Sequence, residues 1–385
     1  MKIWIVGLLT PLLFTTCGRH ATPFVLVELV QQAYAEADPD LPLAPGATTS
    51  VAFTATADAH QYNHGAVLFP FRDSLYLQWQ SSVRDEDAPD TQVLFSSSAD
   101  GAHWGPARVL ASARPDAVVT SGGWWAWGDT LLAFVNVWPS ELEPRGGHVE
   151  YLLSVDGQHW SEPQQLELAN GDPVQGVIEQ DIRALPSGRL LTAIHQQPGL
   201  QLAPFFTDDP TGRGGWRTGQ LPNLPHDSEM TRELEPSWFR RSNGDLIMVF
   251  RDQASSFRVL AAVSRDEGEN WSEPVLTNMP DSRAKQSAGN LPDGTAYLVN
   301  NPSGSKTRLP LALTLSGNGR RFDRAFLLRT EADLPPMRYE GRYKRVGYSY
   351  PKSLVWKDCL WVSYAVNKED IAVTRVPLQA LGALP

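Results

Sequence analysis

Apolar residues along this chain come in short runs bounded by turn residues. Examples are SLYLQW (74–79), QVLFSS (92–97), TLLAFVNVW (130–138), EYLLSV (150–155), LIMVF (246–250), VLAAVS (259–264) and AYLVN (296–300). Each has the length of a strand, is rich in β-branched or aromatic residues, and is either alternating or continuously apolar. No 3.6-residue period is sustained through the body of the chain. The pattern therefore predicts an all-β protein made of many short strands. Residues 18–48 stand apart: FVLVELVQQAYAEA suggests one short helix, and the Pro-, Ala- and Asp-rich DPDLPLAPGATTS reads as a linker.

The turns repeat. SADGAHW ends at Trp104, SVDGQHW at Trp160 and SRDEGENW at Trp271; TDDPTGRGGW, ending at Trp216, and SGNGRRF, ending at Phe322, are looser copies. Successive aromatic residues stand 56, 56, 55 and 51 positions apart. A unit of about 55 residues holding four strands is the size of one propeller blade. Residues 50–380 hold six such units, which predicts a single six-bladed β-propeller over 49–385. Its ring is expected to close by pairing CLWVSYAVNKEDIAVTRVPL with strands near residue 50. In the repeated turn, Ser and Asp bond their own backbone, Gly takes a positive φ and the aromatic ring fills space between strands. Such a turn fastens a blade and carries no chemistry.

Composition narrows the partners. With a net charge of −10, nucleic acid and anionic membrane surfaces are poor partners, and an anionic ligand needs a local cluster of arginines. The 13 tryptophans exceed ordinary usage; most are expected in the core, the rest against sugar rings. The opening MKIWIVGLLTPLLFTTCGRH has one lysine, an apolar run and then Cys17, as an export signal over 1–17 does. It resembles a bacterial lipoprotein signal, with Thr16 where Gly, Ala or Ser is usual. The expectation is a secreted, periplasmic or cell-surface bacterial protein, with a membrane tether if Cys17 is lipidated. With the signal removed, Cys359 is the only cysteine, so no internal disulfide forms. No metal-binding pattern such as HExxH or CxxC occurs, and no cofactor is implied.

The copies SRDEGENW, SADGAHW and SVDGQHW resemble the Asp-box, or bacterial neuraminidase repeat, of sialidases and their relatives. The resemblance spans nearly all of the chain after the linker. It extends to ELEPSWFRRSNGDLIMVFRD, where Glu235 opens one strand and Arg251 closes the next across an Asn243–Gly244 hairpin. Arg308 occupies the place of a further sialidase arginine, ahead of a late Asp-box. GYSYPKSLVWKDCLWVSYAV resembles the segment carrying the catalytic tyrosine; Tyr350 is the first candidate and Tyr348 the second. The resemblance implies an exo-acting glycosidase that releases a terminal acidic sugar from a glycan. Tyr350 would be the nucleophile, Glu235 its base, Arg251 and Arg308 a carboxylate clamp, and Asp87, from the acidic run SSVRDEDAPD, the general acid. A neutral tyrosine suits a substrate whose own carboxylate would repel an anionic nucleophile.

One departure matters. Sialidases open their first blade with an Arg-Ile-Pro stretch that supplies a third clamp arginine, whereas this chain has AHQYNHGAVLFPF. Tyr62, Asn63 and His64 occupy that region, so the clamp is incomplete. A Tyr-Asn-His stretch resembles propeller enzymes acting on uronate polysaccharides. There His64, with Tyr62 or Tyr350, would serve in β-elimination or in cleavage of rhamnose–uronate links. A glycan-binding propeller without catalysis is the third reading. Arg283 is a further polar candidate for the pocket.

Overall fold

The computed structural model describes residues 22–36, 40–179, 181–227 and 229–382. The expected export signal and Cys17 lie outside them. Among the described residues no helix is long and apolar enough to cross a membrane.

Six antiparallel sheets form the blades of a propeller, as the period predicts. Blade one is built from Tyr62–Phe71, Ser74–Ser82, Gln92–Ser98 and Arg108–Ala111. Blade two follows with Ala117–Trp127, Thr130–Pro139, His148–Ser154 and Gln164–Gln165. In blade three the inner strand is broken into Gly176–Ile178 and Arg183–Ala184, both paired with Leu190–Gln196; Gln201–Thr207 and Arg217–Thr218 complete it. Blade four holds Glu233–Arg240, Leu246–Asp252, Arg258–Ser264 and Val275–Pro280. Blade five holds Ser287–Asn290, Ala296–Asn300, Leu311–Ser316 and Arg324–Arg329.

Blade six closes the ring. Its three inner strands, Tyr348–Trp356, Cys359–Val366 and Asp370–Pro377, come from the end of the chain. Its outer strand, Thr48–Phe53, comes from the beginning, with Ser50 opposite Val373. This explains why six blades carry five repeated turns. The turn joins a third strand to a fourth, and in blade six that connection does not exist.

The continuous apolar runs have the same origin. Each blade is sandwiched between two others, so both faces of its strands are buried. In Thr130–Pro139, Leu131, Ala133 and Val135 pack with blade one, whereas Leu132 and Phe134 pack with blade three. The period-2 alternation of side chains is intact, but it separates two apolar faces. Six hydrophobic clusters result, one at each blade-to-blade interface.

The repeated turns fasten these interfaces. In the first, Asp100 Oδ1 accepts from the backbone N–H of Ala102 and His103, each at 2.8 Å, and Ser98 Oγ accepts from Gly101 N at 2.8 Å. Asp156, Asp209 and Asp266 make related bonds, and Asn318 replaces the aspartate in the last copy. Each turn glycine lies against the preceding blade. A Cβ at Gly101, which has φ +71°, would lie 2.1 Å from the Trp361 ring of blade six; at Gly157 it would lie 1.9 Å from the Tyr76 hydroxyl of blade one. Gly101→Ala is therefore expected to lower stability by about 2–4 kcal/mol, through left-handed strain and overpacking against a buried indole. A fall in the urea midpoint at unchanged slope measures it. A loss below about 0.5 kcal/mol would show that Trp361 moves aside.

Within 18–48, Val25–Leu26 pairs in parallel with Arg321–Phe322, and the helix Glu28–Ala35 follows. Phe24, Leu26, Val30 and Tyr34 are buried among residues of blades four and five. The Tyr34 hydroxyl meets Thr314 Oγ1 at 2.7 Å. This part of the expected linker is thus docked across a blade interface.

Candidate active site

Four inner strands, those of blades one, two, four and six, carry bulges. Register breaks fall between His64 and Val67, Ser121 and Gly123, Leu234 and Ser237, and Ser349 and Lys352. A bulge bends a strand and re-aims a side chain. At the first two, glycines take the positive φ: Gly65 at +63° and Gly123 at +100°. At the other two the left-handed residues are Glu235 at +52° and Tyr350 at +55°. For a glutamate or tyrosine this conformation costs roughly 1–3 kcal/mol, and such strain concentrates at functional sites.

The two strained residues meet. The Tyr350 hydroxyl donates to Glu235 Oε1, and Arg251 Nη1 donates both to that oxygen at 3.0 Å and to the Tyr350 oxygen at 3.1 Å. Arg251 Nη2 donates to Gln253 Oε1 at 2.8 Å. Arg308 stands with its guanidinium carbon 5.2 Å from the centre of the Tyr350 ring, held by a 2.6 Å bond from Nη1 to Ser349 Oγ. Burial, and then the nearby Glu235 charge, push the Tyr350 phenol well above its ordinary value, while Arg251 and Arg308 oppose this. Tyr350 is thus neutral and hydrogen-bonded to the Glu235 carboxylate.

Tyr350, Glu235, Arg251 and Gln253 line a cavity of about 270 Å³ at the meeting of the inner strands. Its wall includes His64 and Asp87 from blade one, Trp138 from blade two, Glu179 and His195 from blade three, Glu235 and Arg251 from blade four, and Lys285. The His64 ring centre is 4.2 Å from that of Tyr350. Asp87 is gripped by Arg145 through two bonds of 2.8 and 2.9 Å, one to each carboxylate oxygen. Glu86, also on the wall, pairs with Lys368.

Of the sequence candidates, Tyr350, Glu235, Arg251, His64 and Asp87 reach this cavity, and Arg308 backs it. Arg283 stands beside Arg251 off the cavity wall, and burial followed by that like charge lowers its pKa. Three candidates lie elsewhere. Asn63 is fully buried, donating to the carbonyls of His60 and Glu369, both at 2.7 Å, and accepting from Trp79 Nε1 at 3.0 Å. Tyr62 is buried with its hydroxyl facing Gln80 Nε2 at 3.4 Å. Tyr348 packs into the interface of blades five and six and donates to the Thr330 carbonyl at 2.9 Å. Residues two apart on a regular strand share a face, and the bulge between Ser349 and Lys352 is what turns Tyr350 to the cavity while Tyr348 stays in the interface.

Several wall residues escape sequence reasoning. Lys285 Nζ meets Glu179 Oε2 at 2.5 Å, and the other oxygen of Glu179 meets His195 Nδ1 at 3.0 Å. Lys285 stands two residues after the sequence candidate Arg283. No motif marks Glu179, His195 or Arg145.

A neighbouring ionic group joins Asp181 to Arg183 at 3.0 Å, to Ser237 Oγ at 2.7 Å and to Lys352 Nζ at 3.7 Å. Burial, partly offset by Asp181, pulls the Lys352 amine down to about 8. Because the folded state binds its proton less well than the unfolded chain, stability rises with pH between about 8 and the ordinary lysine value of 10.5. Lys352→Met is expected to raise stability by about 1–3 kcal/mol at pH 7 and to shrink that alkaline gain. Urea unfolding across the window reads both. A destabilised variant would mean that Asp181 needs the lysine.

Comparison with known proteins places the fold. The chain is similar to a sialidase, at 21% identity and a TM-score of 0.58 over 89% of this chain and 34% of that one. It is also similar to the Hadza microbial sialidase Hz136, at 15% identity and a TM-score of 0.67 over 86% and 69% of the two chains. The intramolecular trans-sialidase from Ruminococcus gnavus, solved with oseltamivir carboxylate, aligns at 14% identity and a TM-score of 0.64 over 87% and 99%. The chain thus spans about a third of the length of the first of these, 34%. No curated protein matches. Likenesses at such identities speak for a shared fold. A family model described as the BNR repeat-like domain matches residues 73–362, three quarters of the chain, and with the five turns in place the chain belongs to that family.

Proposed function

We propose that this protein is an exo-acting glycosidase of the sialidase type, releasing a terminal acidic sugar, sialic acid, from a glycan. The observation that carries the reading is the Tyr350–Glu235–Arg251 contact, with Arg308 behind the tyrosine ring. In the reaction, the Tyr350 oxygen bonds to the anomeric carbon as its proton passes to Glu235 and the glycosidic C–O bond breaks. Asp87 gives a proton to the departing oxygen once a substrate displaces Arg145. Water then attacks the anomeric carbon and gives its proton to the Asp87 carboxylate, while the tyrosyl C–O bond breaks and Glu235 returns its proton to Tyr350. Arg251 faces the sugar carboxylate, where each charged hydrogen bond contributes about 1.5–3 kcal/mol, and Arg308 adds its positive charge from behind the tyrosine ring.

A second reading rests on His64. Among the described residues neither of its ring nitrogens has a hydrogen-bond partner, and the ring lies against Tyr350. A neutral imidazole there suits a base that removes a proton beside a uronate carboxylate. Incubation with a fluorogenic sialoside, and separately with uronate polysaccharides followed by ultraviolet absorbance of the unsaturated product, separates the two. Sialoside release supports the hydrolase. Unsaturated product lost in His64→Ala supports the lyase, and silence in both supports a binding propeller.

A further inference from the structure

We propose that His64 is itself a contact for the acidic sugar's carboxylate, and that it enters the complex as an imidazolium, so that each ligand bound brings a proton with it. The proposal deepens the glycosidase reading and rests on it only for the identity of the sugar.

The argument starts from place. His64 occupies the inner strand of blade one at the edge of its bulge, where the sequence lacks the arginine of a complete clamp. Its side chain lines the cavity and is 2% exposed, and among the described residues both nitrogens are without partners. A buried imidazole with two idle nitrogens is costly unless something fills the site part of the time.

Its surroundings name the ligand's charge. On its own strand stands Tyr62, with ring centres 6.0 Å apart. Blade six presents Tyr350 and Lys368, the latter paired with Glu86. From the blade-five side come Arg308 and Lys285, whose charges also act on the ring. Burial first, then Lys368, Arg308 and Lys285, hold the imidazole well below its usual range, so in the empty cavity it is neutral. A carboxylate placed among these cations supplies the missing opposite charge and desolvated acceptor. Both favour the imidazolium. The proton comes from solvent, and no bond other than N–H forms or breaks.

Titration calorimetry in two buffers of different ionisation enthalpy measures the protons taken up on binding. The probes are the 2,3-unsaturated sialic acid glycal, which keeps the carboxylate but has no leaving group, and D-glucuronate. Near about pH 6 the wild type is expected to take up a substantial fraction of one proton with a bound probe. Affinity should then fall by up to about tenfold per pH unit as the pH rises through the uptake window. Asp281, pushed up to about 6 by burial, is the rival source of such a signal. His64→Arg separates the two: it is expected to bind the probe with no uptake, whereas His64→Asn should bind roughly tenfold more weakly, also without uptake. Binding without uptake by the wild type, uptake that persists in His64→Arg, or failure of both probes to bind overturns the proposal. Sialoside cleavage without proton uptake sinks it and leaves the glycosidase standing. Proton-coupled binding in a protein that cleaves no glycoside does the reverse.

Discussion

Tyr350→Phe is expected to keep the fold, bind the acidic sugar within a few-fold of wild type, and lose about a thousandfold or more in turnover. Phenylalanine retains the ring that packs against His64 and faces Arg308. It removes only the oxygen that donates to Glu235 and accepts from Arg251. Binding of the sialic acid glycal, set beside kcat on a fluorogenic sialoside, separates the two effects. Glu235→Gln should lose a comparable factor for a different reason. An amide still accepts the tyrosine hydrogen bond but does not take the proton. Either variant retaining activity within tenfold of wild type would remove the nucleophile–base pair from the mechanism.

Arg251→Met is the second large effect. Arg251 touches Glu235, Tyr350 and Gln253, and its side chain is 17% exposed beside a Glu235 that is 14% exposed. Losing two charged hydrogen bonds to a bound carboxylate, at about 1.5–3 kcal/mol each, lowers kcat/KM by roughly 10²–10⁴. The same change leaves the Glu235 carboxylate poorly compensated, which costs about 3 kcal/mol of stability. Arg251→Lys restores the charge but not the planar fork, so it should recover the fold more fully than the activity. Steady-state kinetics with urea unfolding checks both. If the methionine variant is stable and active, Arg251 is a structural pair for Glu235 and nothing more.

Fold and site are unequally legible in the amino-acid sequence. Blade number, repeated turn and ring closure are local or periodic properties: a strand-length run, an Asp-Gly turn and a 55-residue spacing are written in consecutive residues. Even the unmarked sixth blade follows, because its outer strand Thr48–Phe53 arrives from the other end of the chain. In the site, the Glu235–Arg251 pair was legible because one hairpin joins both residues. Tyr350 was distinguished from Tyr348 only by resemblance.

The remaining wall was not legible. Lys285, Glu179 and His195 become neighbours only when blades three and five converge on one cavity, and no spacing along the chain encodes that contact. Asn63 and Tyr62 read as pocket polar groups beside His64, yet strand alternation turns Asn63 to the opposite face, and Tyr62, which shares the face of His64, is fully buried with its hydroxyl at Gln80.

By itself, then, the sequence determined the blades, their fasteners and the residue types available for acidic-sugar chemistry, since these depend on burial patterns and turn geometry within short stretches. Only the tertiary structure decided which side chains face one another. That choice turns on bulges and strained φ angles stabilised by packing between blades far apart in the chain, which local propensity does not express.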